Sequence, residues 1–157
     1  MAAKRSAGIL LYRFDAAGGC EVLLAHMGGP LWARKDERAW SIPKGEPEDG
    51  EDLLDTARRE FEEELGSAVP AGEFIALGEV RQSGGKVVTL WAAHGDLDAA
   101  AIRSGTFSMQ WPPRSGRQQE FPEVDRAAWF DLETASSKLV AGQVVALQRL
   151  AEHLDPS

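Results

Sequence analysis

The sequence is poor in the residues that several common types of site require. Its 157 residues include a single cysteine and three histidines, His26, His94 and His153, which are scattered along the chain. A lone cysteine cannot form an internal disulfide, so nothing in the sequence demands an oxidising compartment. The absence of a His/Cys cluster with metal-ligand spacing argues against a zinc site. We interpret Cys20, which lies just before an apolar run, as a packing residue.

Basic residues and long apolar runs are also scarce. The 17 Lys and Arg residues against 25 Asp and Glu residues give a net charge of -8, which disfavours a protein that binds nucleic acid through a basic surface. The first apolar run, residues 7–12, is too short for a membrane span and lacks a convincing cleavage site. We therefore expect a cytoplasmic protein with no membrane partner. The length predicts a single domain over residues 1–157.

Three familiar motifs are missing as well. The sequence has no nucleophile-elbow serine motif. The segment Gly84-Gly85-Lys86-Val87 lacks the Ser or Thr that follows the lysine of a phosphate-binding loop. An EF-hand loop with Gly50 at its sixth position would begin at Gly45 and end at Thr56, where Asp and Glu are needed.

Acidic residues are present in excess, and they concentrate between Gly45 and Gly66. This stretch holds ten of the 25 acidic residues, and its second half reads as a helix. On a helix, Glu60, Glu63 and Glu64 share one face because they stand at i, i+3 and i+4. Carboxylates gathered on one face suit a hard divalent cation. A solvated acidic helix face gives the same pattern, so the spacing alone leaves both interpretations open.

Apolar patterning outside this stretch predicts mainly strands. Residues 6–14 and 21–26 are expected to form one antiparallel hairpin. Residues 74–82 and 86–94 are expected to form another, joined by the turn at Ser83-Gly84-Gly85. Further short strands are predicted over residues 106–110 and 124–130, and loops over residues 27–40, 95–105 and 111–117.

Helical periodicity predicts three helices. The first begins near Glu51 or Asp52 and ends at Leu65, with Gly66 in a C-terminal cap position. The second covers residues 131–138, and the third covers residues 142–154. The third helix is predicted to bury the apolar residues Val144, Val145, Leu147, Leu150 and Leu154.

The full spacing of the acidic stretch resembles the signature of the Nudix hydrolase family. That signature is Gly-x5-Glu-x7-Arg-Glu-U-x-Glu-Glu-x-Gly-U, where U is a bulky apolar residue. The positions before the last one are filled by Gly45, Glu51, Arg59, Glu60, Phe61, Glu63, Glu64 and Gly66. Ser67 departs from the last apolar position, and we expect a small local adjustment there without loss of chemistry. The resemblance covers roughly residues 5–155 and implies an α/β fold, an α/β/α sandwich around a mixed central sheet.

The resemblance also implies a chemistry: hydrolysis of a pyrophosphate bond in a substrate made of a nucleoside diphosphate linked to another group, with Mg²⁺ or Mn²⁺ as cofactor. It assigns Glu60, Glu63 and Glu64 to the metal, with the backbone carbonyl of Gly45 as a further ligand. Glu60 is a candidate to orient or deprotonate the water. Arg59 is expected to hold the carboxylates in place by an ion pair with Glu51. Glu62 points away from the other three glutamates and serves as an internal control.

Many members of this family draw one more carboxylate from a loop after the signature, as a metal ligand or a base. The segment Gln119 to Glu123 precedes the last predicted strand and offers Glu120 and Glu123. The sequence does not choose between them. An exposed acidic loop with no such role is the alternative interpretation.

The segments around the signature give hints about the substrate. Lys44, directly before Gly45, resembles members that cleave dinucleoside polyphosphates or diphosphoinositol polyphosphates, because a cation there lies beside the phosphates. Trp32 and Trp111 are candidates to stack on a base, although each is also expected as a core or lid residue. Further candidate cations for the phosphates are Arg34, Lys35, Arg38, Arg114 and Arg117.

We therefore expect a nucleotide substrate, with a dinucleoside polyphosphate preferred. The first alternative is a nucleoside triphosphate pyrophosphohydrolase that removes damaged nucleotides. The second is a nucleotide sensor without turnover, which the intact signature disfavours. The expected oligomeric state is a monomer or a homodimer.

Overall fold

The computed structural model describes residues 4–70 and 72–154. Residues 1–3, 71 and 155–157, which the predicted domain includes, lie outside the described residues. The strands are β1 (Arg5–Phe14), β2 (Cys20–Met27), β3 (Trp40–Ser41), β4 (Lys44–Gly45), β5 (Ile75–Arg81), β6 (Val87–His94), β7 (Thr106–Gln110), β8 (Gln118–Pro122) and β9 (Val124–Asp131). The helices are α1 (Leu53–Leu65), α2 (Leu132–Lys138) and α3 (Val145–Leu154).

Strand β1 lies at the centre of a seven-stranded mixed sheet. The order along the main path is β3-β2-β1-β6-β5, while β4 pairs with β1 and β9 pairs with β2. Strand β1 runs antiparallel to β2 and parallel to β6. The two predicted hairpins, β1–β2 and β5–β6, are thus confirmed. Strands β7 and β8 form a separate two-stranded sheet, the ribbon, which lies off the main sheet.

The main sheet is covered by helices on both faces. In β1, Ile9 and Leu11 pack in one apolar cluster with Phe61 of α1. Leu10 packs in the other cluster with Leu150 of α3. Alternate side chains of a strand point to opposite faces, so a strand buried on both faces reads as a continuous apolar run. The predicted α/β/α sandwich with a mixed sheet is confirmed.

Helix α1 carries most of the acidic signature on one packed scaffold. Ala57, Phe61 and Leu65 are buried at the helical period, which fixes the rotation of the helix against the sheet. The helix ends at Gly66, whose φ of 81° is left-handed and whose N–H donates to the carbonyl of Glu62. The capping role predicted for this glycine is confirmed, since left-handed backbone favours residues without a Cβ.

Two parts of the sequence interpretation are corrected. The segment predicted as an acidic loop is strand β8 up to Pro122, paired with β7 so that Phe121 lies opposite Phe107. Helix α3 begins at Val145, after a short 3-10 turn, rather than at Gly142. Val145 is 39% exposed and does not belong to the buried face, which Ala146, Leu147 and Leu150 form.

Among residues 4–70 and 72–154, no helix combines the length and the apolar character that a membrane crossing requires.

Candidate active site

The site begins where β4 meets α1. Gly45 pairs with Ala7 of β1, so its backbone is fixed in the sheet. A Cβ built on Gly45 would lie 2.0 Å from Cδ and 2.2 Å from Oε2 of Glu60. The absence of a side chain at Gly45 therefore lets the carboxylate of Glu60 lie directly against the β4 backbone.

Glu64 lies one helical turn after Glu60, in the most enclosed part of this site. Its Oε2 accepts a hydrogen bond from the backbone N–H of Lys44 at 3.2 Å. Burial raises the pKa of Glu64 to about 8, and the negative charges of Glu60 and Glu123 add to this effect against the opposing charge of Lys44. Burial also raises the pKa of Glu60. The enclosed carboxyl groups thus lack enough positive charge nearby to stabilise their ionised forms.

Arg59 donates hydrogen bonds to three of the acidic residues. Its Nε and Nη2 each donate to Glu51 at 2.9 Å, which is the ion pair expected from the sequence, in bidentate form. Its Nη1 donates to Glu60 at 2.9 Å and to Glu63 at 3.2 Å. The hydrogen bond from Arg59 is the main cause that lowers the pKa of Glu51 to about 2. Thr56 also donates to Glu51 at 2.8 Å and thereby holds this carboxylate in place. Glu51, fixed in this way, positions the guanidinium of Arg59.

The predicted metal set is only partly gathered. Glu60 is largely enclosed, with a side chain 14% exposed, whereas the side chain of Glu63 is 56% exposed and lies on the solvent edge. Glu62 is exposed, in keeping with its use as a control. Within the described ranges, no three side chains of the His, Cys, Asp and Glu types stand together as a ready-made metal cluster. The helix therefore presents Glu60 and Glu64 inside the site and Glu63 at its rim.

The structure distinguishes the two candidates for an additional carboxylate. Glu123, in the connection between β8 and β9, is close enough that its charge raises the pKa of both Glu60 and Glu64. Its N–H donates to the carbonyl of Gly105 at 2.9 Å. Glu120 is exposed on the ribbon, opposite Ser108. Of the two candidates, Glu123 therefore lies near Glu60 and Glu64, whereas Glu120 lies on the exposed ribbon.

An apolar cavity of about 210 Å³ lies next to Glu123. The N–H of Gly28, in its wall, donates to the carbonyl of Glu123 at 2.9 Å. The cavity is lined by Gly28, Gly29, Leu31, Trp32, Phe107 and Met109. Trp32 was expected from the sequence, whereas Phe107 and Met109 were not. Their only signal was the alternation of apolar and polar residues along the short strand β7.

The other predicted substrate contacts fall into two groups. Lys35 approaches the ring of Trp32, with Nζ 5.0 Å from the ring centroid. Lys44 is largely buried, and burial lowers its pKa while Glu64 opposes this effect. Trp111 follows β7 in the loop at the ribbon tip and is not among the residues that line the cavity. Arg34, Arg114 and Arg117 are exposed.

Arg38 contacts the backbone at the end of α2. It was predicted among the cations that extend the phosphate site, but its guanidinium donates to the carbonyls of Ser136 and Leu139. The side chain therefore anchors the loop before β3 to the end of α2.

The donor set fits a hard divalent cation. The groups that face the enclosed part of the site are carboxylate oxygens of Glu60 and Glu64, with Glu123 nearby, and these are the donors that Mg²⁺ and Mn²⁺ prefer. The raised pKa of Glu64 agrees with this fit, because it reflects a lack of positive charge that a bound cation would supply. Such a cation would favour the ionised carboxylate.

The buried carboxyl of Glu64 makes the stability of the metal-free protein depend on pH. Its pKa is raised from 4.5 to about 8, so the folded protein keeps a proton that the unfolded chain releases. The stability that depends on this proton is fully present below pH 4.5 and is lost as the pH rises through about 8. We expect the free energy of unfolding to fall across this window by an amount on the order of a few kcal/mol.

Urea unfolding in the presence of a chelator, at several pH values, measures this effect. The Glu64→Gln variant cannot titrate at this position and is expected to give a flatter profile. A profile as steep as that of the wild type would show that another group causes the dependence.

Solved structures with the same fold extend over nearly the whole chain. An Ap4A hydrolase from C. elegans, in a binary complex, is 22% identical with a TM-score of 0.67, over 99% of this chain and 100% of that one. The NUDIX domain of Shewanella oneidensis NrtR, complexed with ADP ribose, is 16% identical with a TM-score of 0.66, over 98% and 90%. The Nudix hydrolase RenU from M. smegmatis is 19% identical with a TM-score of 0.60, over 99% and 89%. Among curated protein sequences, none matches the chain.

The likeness to solved structures establishes the fold, and the family rests on the sequence. The NUDIX domain model matches residues 3–150, which is most of the chain and includes the whole acidic signature. The resemblance read from that signature is confirmed, and the chain belongs to the Nudix family.

Proposed function

We propose that the protein hydrolyses a pyrophosphate bond in a nucleotide substrate with Mg²⁺ or Mn²⁺, and that a dinucleoside polyphosphate is its preferred substrate. The observation that carries the proposal is the adjacency of two features. The enclosed carboxyl groups of Glu60 and Glu64 interact with Glu123, and Glu123 is hydrogen-bonded to the wall of an apolar cavity. A charged reacting group and a planar apolar group of one ligand would occupy these two places.

The residues of the site have separable tasks in this proposal. Glu60, Glu63 and Glu64 would hold the cation together with the carbonyl of Gly45, and Glu60 would orient the attacking water. A divalent cation supplies neutralisation of the phosphate charges and a lower pKa of the water. Arg59 keeps Glu60 and Glu63 in place through its hydrogen bonds to both.

The cavity accounts for the nucleotide part of the substrate. Trp32, Phe107 and Met109 present aromatic and thioether surface of the kind on which a base packs. Lys35, beside Trp32, adds a positive charge at the rim. Lys44, next to Glu64, is the cation nearest the reacting phosphates in this proposal. The similarity of the fold to that of an Ap4A hydrolase from C. elegans supports the choice of a dinucleoside polyphosphate.

One observation favours a second candidate. A cavity of about 210 Å³ offers room for a single base, which also suits a nucleoside triphosphate. A sensor without turnover is disfavoured, because the glutamates of the signature are all present.

A substrate panel tests the proposal. Purified protein is incubated with Mg²⁺ or Mn²⁺ and diadenosine tetraphosphate, ADP-ribose, the ordinary nucleoside triphosphates or oxidised dGTP, and the products are separated by chromatography. We expect the highest kcat/KM with diadenosine tetraphosphate. A preference for a triphosphate would support the second candidate, while binding without turnover across the panel would support a sensor.

Glu123→Gln is expected to lower kcat strongly, whereas Glu120→Gln is expected to leave it close to the wild-type value. The two substitutions are chemically identical, and the positions differ in whether the carboxylate reaches Glu60 and Glu64. The expected loss for Glu123→Gln is about 10- to 100-fold, the range for groups that tune a metal site. Steady-state kinetics at saturating Mg²⁺ measures both variants. Equal activities would contradict the role given to Glu123.

A further inference from the structure

His26 is a fully buried polar side chain that the proposed chemistry does not use. It is 0% exposed, near the end of β2, with the ring of Trp40 edge-on at 5.0 Å between centroids. Its Nε2 donates to the carbonyl of Lys35 at 2.6 Å, and its Nδ1 is 2.7 Å from Oδ1 of Asp125. Both ring nitrogens therefore have a hydrogen-bond partner, one on the backbone and one on a side chain.

Asp125 reaches His26 because β9 contains a bulge. In the pairing of β2 with β9, His26 lies opposite Arg126 and Met27 lies opposite Val124. Asp125 therefore has no partner in β2, and a bulge of this kind redirects the side chain of the extra residue. The guanidinium of Arg126 is 3.9 Å from the same carboxylate oxygen.

The two hydrogen bonds of His26 join the two segments that form the proposed substrate site. Lys35 belongs to the loop that contributes Trp32 to the cavity, and Asp125 follows Glu123 by two residues. Directly beyond the bulge, the N–H of Gly28 donates to the carbonyl of Glu123. One imidazole thus links the loop of the cavity wall to β9, the strand that directly follows Glu123.

We propose that His26 is a positioning residue, and that its hydrogen bonds to Asp125 and Lys35 hold Glu123 and the cavity wall in register with each other. The kinetic part of this inference rests on the proposed function, whereas the structural part does not. The ring of His26 is fully buried. Loss of the hydrogen bond to Asp125 would leave Nδ1 of this buried ring without a partner and would break the link between the two segments.

The test alters Asp125, because replacing His26 itself would open a cavity in the core. Asp125→Ala removes the acceptor from a side chain that is 25% exposed, and Asp125→Asn keeps a carbonyl oxygen in its place. Asp96→Ala is the matched control, since this carboxylate binds Arg13, is 74% exposed and has no contact with His26.

Hydrogen exchange is the first readout and requires no activity. In Asp125→Ala, amides of residues 27–39 and 118–124 are expected to exchange faster by about tenfold, the effect of losing one charged hydrogen bond. Asp125→Asn and Asp96→Ala are expected to leave these segments close to the wild type. Unchanged exchange in Asp125→Ala would overturn the inference, whether or not the wild type hydrolyses a nucleotide.

Steady-state kinetics is the second readout. In Asp125→Ala, KM is expected to rise and kcat to fall, because the cavity wall and Glu123 both lose their register. Together these lower kcat/KM by about 10- to 100-fold, and Asp125→Asn is expected to restore most of the loss. A lower melting temperature with unchanged kcat and KM would show a purely structural role and would overturn the positioning role. Inactivity of the wild type on every nucleotide would instead contradict the proposed function and leave the exchange result valid.

Discussion

Glu64→Gln is expected to abolish hydrolysis, with a loss in kcat of at least about 100-fold, the upper end for residues that only support a metal site. The amide keeps the size of the side chain but removes the negative charge that a divalent cation needs. Glu63→Gln is expected to have the same effect, although this side chain lies at the rim of the site. Metal-dependent turnover of diadenosine tetraphosphate measures both variants.

Glu62→Gln is the control for these variants. It lies on the same helix directly before Glu63, but its side chain is exposed, and the helical period places it on a different face from Glu60 and Glu64. We expect it to retain most of the activity. Equal losses at positions 62, 63 and 64 would contradict the geometry, because they would indicate a general effect of charge on α1.

Gly45→Ala is expected to reduce activity on the order of 100-fold while the protein stays folded. The added Cβ would lie 2.0 Å from Cδ of Glu60, so one of the two must move. The atoms it meets belong to the flexible end of a side chain, so the carboxylate of Glu60 is displaced and the backbone is largely kept. The cost in stability is expected to be about 1–3 kcal/mol, as for other overpacked sites.

Kinetics and thermal unfolding of the same preparation separate the two effects of Gly45→Ala. Gly72→Ala is the matched control, since a Cβ there meets nothing within 4 Å. A large drop in melting temperature with normal turnover would contradict the role of Gly45 in placing the carboxylate of Glu60.

The main sheet and α1 could be predicted because local patterns determine them. Strand β1 is buried on both faces and therefore reads as an unbroken apolar run. The buried face of α1 repeats at the helical period, and Gly66 marks its end through its backbone conformation. The carboxylates of the site were found through the spacing of a family signature, which also contains the partners Arg59 and Glu51.

The ribbon could not be predicted in full because its burial is slight. All but one residue of β8 are exposed, so the strand shows little of the alternation that marks a half-buried strand. The apolar side chains of β7, Phe107 and Met109, line a cavity only because the ribbon packs against the loop that contains Gly28 and Trp32. The choice of Glu123 over Glu120 depends on the same long-range contact, which no local pattern encodes.

His26 and Asp125 were missed for a related reason. They are separated by 99 residues, and only the bulge in β9 brings their side chains together. A lone histidine in an apolar strand gives no sign of this in the sequence.

The most direct test of a divalent-cation site at Glu60 and Glu64 is the turnover of diadenosine tetraphosphate by wild type and Glu64→Gln, measured side by side. The wild type is predicted to be active with Mg²⁺, inactive with excess chelator and active again after Mg²⁺ is restored, while the variant stays inactive throughout. Turnover that survives the chelator, or that is the same in the variant, would contradict hydrolysis at this site.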